Sequence, residues 1–254
     1  RKRRSGASRV MRLKTRRYEA GERHPTHRDR HSRLSFLLQG AFAEDSTNGA
    51  IAARPGDLLY KGEEVPHETR FGADGALIAS VELPDGFSCD TRMWRLKREP
   101  NVFRESICLL ESASHGSSAG VAGSILSLLS YLDQGALHGG TPQRWILRLK
   151  EELESVGLNE INITDRAKHA GIHPVHASRQ FRRHFGLSIT EHARLHSVRR
   201  AVALIAQGKK SLKDIAVQAG FYDQSHMNRM FNRVTGRTPQ SFRKLCNWAD
   251  AEAG

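Results

Sequence analysis

The chain has 254 residues, enough for two domains with separate cores, and carries a net charge of +13, which favours an anionic partner. No apolar run approaches the length of a membrane span, and no secretory signal is visible, so membrane and exported classes are not expected. Three scattered cysteines (Cys89, Cys108, Cys246) show neither metal spacing nor a disulfide framework, and a reducing cytoplasm fits them.

The charge is unevenly placed. Residues 1–17 hold nine Lys or Arg and no acid, 18–142 hold 12 basic against 17 acidic residues, and 143–245 hold 19 against 8. A basic module joined to a mildly acidic one suggests a nucleic-acid-binding part and a part with another task. The first 17 residues read as a basic arm without fixed structure, with Met11 as an alternative start.

Residues 18–98 read as mainly β. Leu34–Leu38 is a short apolar run ending at Gly40. Ala50–Ala53 leads into the turn Pro55-Gly56-Asp57, Leu58–Tyr60 resumes a strand, and Ala76–Leu83 forms another before Pro84. Short strands with frequent turns suggest a small barrel or sandwich. Pro55-Gly-Asp-Leu-Leu-Tyr60 followed by Val65-Pro-His67, with His27 between Gly21 and Gly40, resembles a cupin barrel. That resemblance implies a metal test, because a metal-binding cupin needs about three imidazoles and a carboxylate converging on one point. His27 and His67 fall at ligand positions, but Asp29 stands where a second His belongs. Arg33 stands where a Glu belongs, and its cation would repel a metal. The reading therefore assigns no metal and no cofactor. It takes His27, Arg33 and His67 as the lining of a pocket for an anionic or polar small molecule.

Residues 99–140 read as connector helices and a hinge. Asn101–Glu111 and Val121–Leu132 carry the apolar residues of two helices, Ser112–Gly123 reads as a Ser/Gly/Ala loop, and Gly135–Pro142 reads as the hinge. The leucine-rich second helix either packs on its own barrel or forms a homodimer interface. Trp145, Ile146, Leu149 and Leu153 open the last domain.

Residues 143–245 contain a degenerate repeat. Asp165-Arg-Ala-Lys-His-Ala-Gly171 with Arg179-Gln-Phe181 and Gly186 is echoed by Asp214-Ile-Ala-Val-Gln-Ala-Gly220 with Arg229-Met-Phe231 and Gly236. The offset changes by one residue after the first glycine, where a turn absorbs an insertion most easily. Each copy reads as a helix, a glycine turn and a basic second helix, which is a helix-turn-helix. In the first copy Thr164 caps the leading helix, and His173-Pro174 opens the second. Helical spacing turns Ala177, Phe181 and Phe185 inward, and Val175, His176, Ser178, Arg179 and Arg182 outward. In the second copy Ser211 and Asp223 are the caps. Met227, Met230 and Phe231 face inward, and Gln224, Ser225, His226, Asn228 and Arg229 face outward. Arg bonds guanine and Gln or Asn bonds adenine in bidentate fashion. Arg182, Arg183, Arg233 and Arg243 are read as phosphate contacts, which position a protein on DNA without reading sequence.

From Ile163 to Lys244 the chain resembles the DNA-binding domain of the AraC/XylS family of bacterial transcription regulators. The resemblance rests on Ser178-Arg-Gln-Phe-Arg-Arg-His-Phe-Gly186, Asp214-Ile-Ala-Val-Gln-Ala-Gly-Phe221 and Arg229-Met-Phe-Asn-Arg-Val-Thr-Gly-Arg-Thr-Pro-Gln-Ser-Phe-Arg243. It implies a long helix, about Ile189 to Ala206, linking two helix-turn-helix units. It also implies Val175, Ser178 and Arg179 as base readers of the first unit, and Gln224, Ser225, His226 and Arg229 as those of the second. The sequence departs from the family at His173-Pro174, at Ala177 and at His192, where an aromatic is usual.

The resulting expectation is an α+β multidomain protein: a cupin-like N-terminal barrel, connector helices and an all-α C-terminal domain with two helix-turn-helix motifs. Its function is sequence-specific transcription regulation in the cytoplasm, at the nucleoid, under a small-molecule effector, and not catalysis. Promoter DNA is the expected partner, with RNA polymerase and a second copy of the chain as further candidates. The alternatives are a constitutive DNA-binding regulator with a structural barrel, and a metal-dependent cupin enzyme fused to a DNA-binding domain.

Overall fold

The computed structural model describes residues 12–47, 49–84, 94–97, 99–133, 143–156 and 173–254. The residues before position 12, the Asp165–Gly171 part of the first repeat and the Gly135–Pro142 hinge lie outside the described residues. The chain divides into two units, residues 1–134 with 241–254, and residues 135–240.

The first unit is built on one antiparallel sheet of β1 (Leu13–Tyr18), β2 (Arg23–His27), β3 (Arg33–Ser46), β4 (Gly49–Ala53), β5 (Leu58–Lys61), β6 (His67–Glu82) and β7 (Trp94–Lys97). The strand order is β1-β6-β3-β5-β7, with β2 added on β6 and β4 on β3. Two expectations change here. β1 starts at Leu13, inside the stretch read as an unstructured arm, and pairs along its length with the end of β6. Among the described residues β1 and β7 end the strand path without pairing to each other, so the sheet is open where a cupin-like barrel was expected. The long strands β3 and β6 curve the sheet instead. Their pairing shifts register between Leu37 and Gln39 and between Gly40 and Phe42, and residues from both halves meet in one cluster of Leu37, Phe42, Leu59, Phe71 and Ile78.

Two glycines permit the bend. Gly40 (φ +78°) sits so close to the opposite strand that a Cβ would lie 1.9 Å from the Gly75 carbonyl oxygen. Gly75 (φ +64°) is equally tight against the Tyr18 carbonyl, at 2.2 Å. Only glycine combines that backbone with that approach.

Helices α1 (Pro100–Ser114) and α2 (Ser118–Asp133) pack on each other, and Phe103 of α1 meets Phe36 of β3 at 5.8 Å between ring centroids. The loop expected over Ser112–Gly123 is largely helix. Its small residues serve close packing, since a Cβ on Gly120 would lie 2.6 Å from the Ser112 hydroxyl. Val121, Ile125, Leu128 and Leu132 of α2 are buried within the chain, while Leu126 is 55% exposed. Arg17 of β1 donates from two guanidinium nitrogens to the Asp250 carboxylate in the C-terminal segment of this unit.

The second unit contains α3 (Arg144–Val156), α4 (Pro174–Phe185), α5 (Ile189–Ala206), α6 (Leu212–Gln218) and α7 (Gln224–Thr235). A last helix, α8 (Pro239–Ala253), follows, and its residues from Ser241 onward belong to the first unit. Ile146, Leu149 and Leu153 of α3 form one core with Phe181 of α4 and Ile189 and Ala193 of α5. Ser188 caps α5 through a reciprocal box with Glu191, fixing where the long linking helix begins.

Gly75→Ala is expected to cost about 2 kcal/mol or more in urea denaturation, through positive-φ strain and the clash with Tyr18. Gly123→Ala, in α2 with open space around it, is expected to stabilise by about 0.5–1 kcal/mol. Equal effects would remove the close-approach argument.

Candidate nucleic-acid interface and ligand cavity

The two reader helices are built alike. His173 caps α4, its Nδ1 accepting from the Val175 N–H at 3.3 Å. Asp223 caps α7, accepting from the His226 N–H at 2.6 Å. Both helices end on a left-handed glycine, Gly186 (φ 72°) and Gly236 (φ 75°), whose N–H groups donate to the carbonyls of Arg182 and Asn232. Ala177 and Phe181 of α4 are completely buried, as are Met227 and Phe231 of α7. With that face fixed inward, Val175, Ser178, Arg179, Arg182 and Arg183 are exposed on α4, and Gln224, Ser225, Asn228, Arg229 and Arg233 on α7.

The second turn is fully described. Ser211 caps α6, and Gly220 (φ 84°) turns the chain while the Phe221 N–H donates back to the Ala216 carbonyl at 2.9 Å. His226 differs from its expected place. It is half-buried, its Nδ1 accepts from the Tyr222 N–H at 3.3 Å, and its ring stands edge-on to Phe221 at 5.5 Å. One of its ring nitrogens therefore holds the turn. Tyr222, which the sequence reading passed over, is 83% exposed beside the start of α7. Arg243 is half-buried on α8, less open than the other expected phosphate contacts.

Beneath α4 lies a polar cluster. His192 of α5 packs on Phe181 at 5.3 Å and Phe185 at 6.0 Å, so the imidazole fills the place of the usual aromatic. Its Nε2 also lies 3.4 Å from Glu154, which pairs with Lys150 at 2.8 Å. Burial works to raise the Glu154 carboxyl, but the hydrogen bonds and charges of His192 and Lys150 outweigh it and hold it at about 2. One turn along, burial, with the Arg200, His192 and Arg199 charges, pushes His196 down to about 4 despite Glu154.

In the first unit, Tyr18, His24, His27, Arg33, Phe42, Glu44, Lys61, Phe71 and neighbouring residues line a partly open cavity of about 40 Å³, room for a few waters or a comparably small group. His27 and Arg33 line it, and His67 lies against His27 at 4.3 Å between ring centroids. Two residues missed in the sequence dominate the chemistry here, Lys61 and Glu44. Lys61 Nζ donates to Glu44 Oε1 at 3.0 Å and lies 3.4 Å from Asp29 Oδ2. Glu44 Oε1 also accepts from the Thr69 hydroxyl at 2.9 Å. Arg33 is held between Asp29 at 3.6 Å and Glu82 at 3.5 Å. Burial raises the Asp29 carboxyl, but Lys61, Arg33 and His67 outweigh it and the net shift is downward. Burial, then the Lys61 charge, lowers His67.

Residues 166–245 match a family described as a helix-turn-helix domain. Over 105 residues the chain is 31% identical to the HTH-type transcriptional regulator GlxA of Rhizobium meliloti (strain 1021), covering 41% of this chain and 32% of that protein. Over 71 residues it is 32% identical to the HTH-type transcriptional activator RhaR of Salmonella arizonae, covering 28% of this chain and 25% of that one. Residues 166–245 are thus similar to the helix-turn-helix domain of transcriptional regulators. The chain spans between a quarter and a third of the length of these two relatives. Among solved structures, ToxT from Vibrio cholerae O395 aligns with 94% of this chain and 99% of its own at 10% identity and a TM-score of 0.40, too loose a likeness to bear on the fold. No helix among the described residues is long and apolar enough to cross a membrane.

The His196 shift gives a pH prediction. With a folded value near 4 against an ordinary 6.5, the unfolded chain takes up the proton first as pH falls. The corresponding stability is complete above about pH 6.5 and is lost toward pH 4. The melting temperature of the full chain should fall by several degrees between pH 7 and pH 5, and His196→Gln should flatten that fall. Parallel falls in both proteins would contradict the assignment.

Proposed function

We propose that this chain is a sequence-specific DNA-binding transcription regulator of bacterial cytoplasm, reading promoter DNA with α4 and α7. One observation carries the reading. At matching positions of two repeats, a capped helix buried on one face presents Ser178 and Arg179, or Gln224, Ser225 and Arg229, on the other. Val175 and the remaining edge of His226 complete the reading faces. Arg182, Arg183 and Arg233 flank them as phosphate contacts, with Arg243 a lesser one. The surplus of positive charge over residues 143–245 supports the same partner.

The N-terminal sheet is proposed as a cupin-like sensor. The support is a partly open cavity whose lining includes Arg33 and His27 together with Tyr18, Phe42 and Phe71. Its small volume limits an effector to a compact polar molecule or requires the aromatic wall to move. To switch DNA binding, such an effector must bind one state of the protein more tightly than another.

Arg229→Ala is expected to weaken binding to a cognate site by about 1–3 kcal/mol and to relax preference at one base pair. Arg233→Ala is expected to weaken all duplexes alike and to lower the salt slope by about one. Quantitative binding at several salt concentrations distinguishes the two. A uniform loss for Arg229→Ala would remove it from the reading face.

A further inference from the structure

The cupin resemblance raised a metal test at His27 and His67, and the donor atoms of His27, Asp29 and His67 lie within 4.8 Å of one another. Both imidazoles are oriented as metal ligands are. The Nδ1 of His67 donates to the Val65 carbonyl at 2.9 Å, and that of His27 donates to the Pro25 carbonyl at 2.9 Å. A carbonyl only accepts, so each ring keeps Nε2 as its acceptor, the arrangement that a backbone carbonyl enforces on metal-bound histidines.

The lone pair of His67 is nevertheless engaged by the chain itself. Lys61 Nζ lies 3.2 Å from His67 Nε2, 3.4 Å from Asp29 Oδ2 and 3.0 Å from Glu44 Oε1. An ammonium only donates, and among the described residues Glu44 and His67 accept from it while the Asp29 carboxylate pairs with its charge. The Lys61 side chain is 8% exposed and that of Glu44 is 4% exposed, so bulk water has little access to this pair. The register places Lys61 of β5 opposite Arg33 of β3, so the strand pairing itself delivers the ammonium to this point.

We propose that Lys61 is the resident cation of this site, a tethered charge standing where a metal-binding cupin holds a divalent ion. The polar cluster is then assembled by the chain alone and is independent of metal supply. Asp29, Glu44 and His67 serve as the ligands of an ammonium, and the site closes to a divalent ion because its occupant is covalently attached.

The test titrates cobalt(II) chloride into the full chain at neutral pH and follows the visible absorption of imidazole-bound cobalt. Wild-type protein is expected to show no saturable site. Lys61→Met is expected to bind one equivalent at least about tenfold more tightly and to gain melting temperature with cobalt, and adding His27→Ala should abolish both effects. Wild-type binding as tight as that of Lys61→Met would overturn the proposal, as would a folded Lys61→Met chain that binds no cobalt. Should Lys61→Met not fold, nitrogen-15 NMR of the wild-type His67 ring decides. A neutral ring protonated on Nδ1 is expected, and a proton on Nε2 would overturn the proposal because that nitrogen then has nothing to offer an ammonium.

Discussion

Phe181 and Phe231 are completely buried at matching positions of the two repeats, and the orientation of every exposed side chain on α4 and α7 depends on that burial. A twelve-residue helix is marginal alone and free to roll. One large aromatic locked into a core sets its rotation, and with it which residues meet solvent. Phe181 is held in the α3 and α5 core with Ile146, Leu149, Leu153 and Ile189, and His192 lies edge-on against it. Truncating such a side chain typically costs 3–5 kcal/mol, more than any single contact on the reading face supplies. Recognition chemistry is thus subordinate to packing: Arg179 and Arg229 point outward because Phe181 and Phe231 point inward.

The sheet follows a different logic. Its interior combines an aromatic cluster with the buried Lys61–Glu44 ion pair, which Asp29 and the partly exposed Arg33 adjoin. Buried ions are tolerable only when paired and hydrogen-bonded. Here the pairing links β3, β5 and the segment after β2, so it also specifies how those strands register. A purely apolar interior of this size would pack as well, yet would distinguish one register from the next less sharply.

The repeats were legible because their signals are local. Glycine turns, caps and an apolar residue every third or fourth position all act within a dozen residues, and the structure places Ala177, Phe181, Met227 and Phe231 inward as spacing requires. His226 was harder, because its role in the Phe221–Tyr222 turn depends on three-dimensional proximity rather than period. The sheet was legible only in its apolar runs. β1 hid inside a basic stretch, since its alternation Leu13, Thr15, Arg17 is masked by charge and its partner strand lies far along the chain. The small residues around Gly120 read as a loop, whereas they permit α1 and α2 to touch. The open edge of the sheet had no local signal, because closure is a property of strands that are distant in sequence. Lys61 was invisible for the same reason: only the pairing of β5 with β3 brings its ammonium to Glu44, Asp29 and His67.

The central claim is that two helices of one chain read DNA sequence. The most direct measurement is selection of binding sites from a random duplex pool by the full-length protein at near-physiological salt. Two short enriched blocks about one helical turn apart are the predicted result, one for each reader helix. Binding that is salt-sensitive yet selects no sequence would contradict the claim and reduce the basic surface to an electrostatic hold on the phosphate backbone.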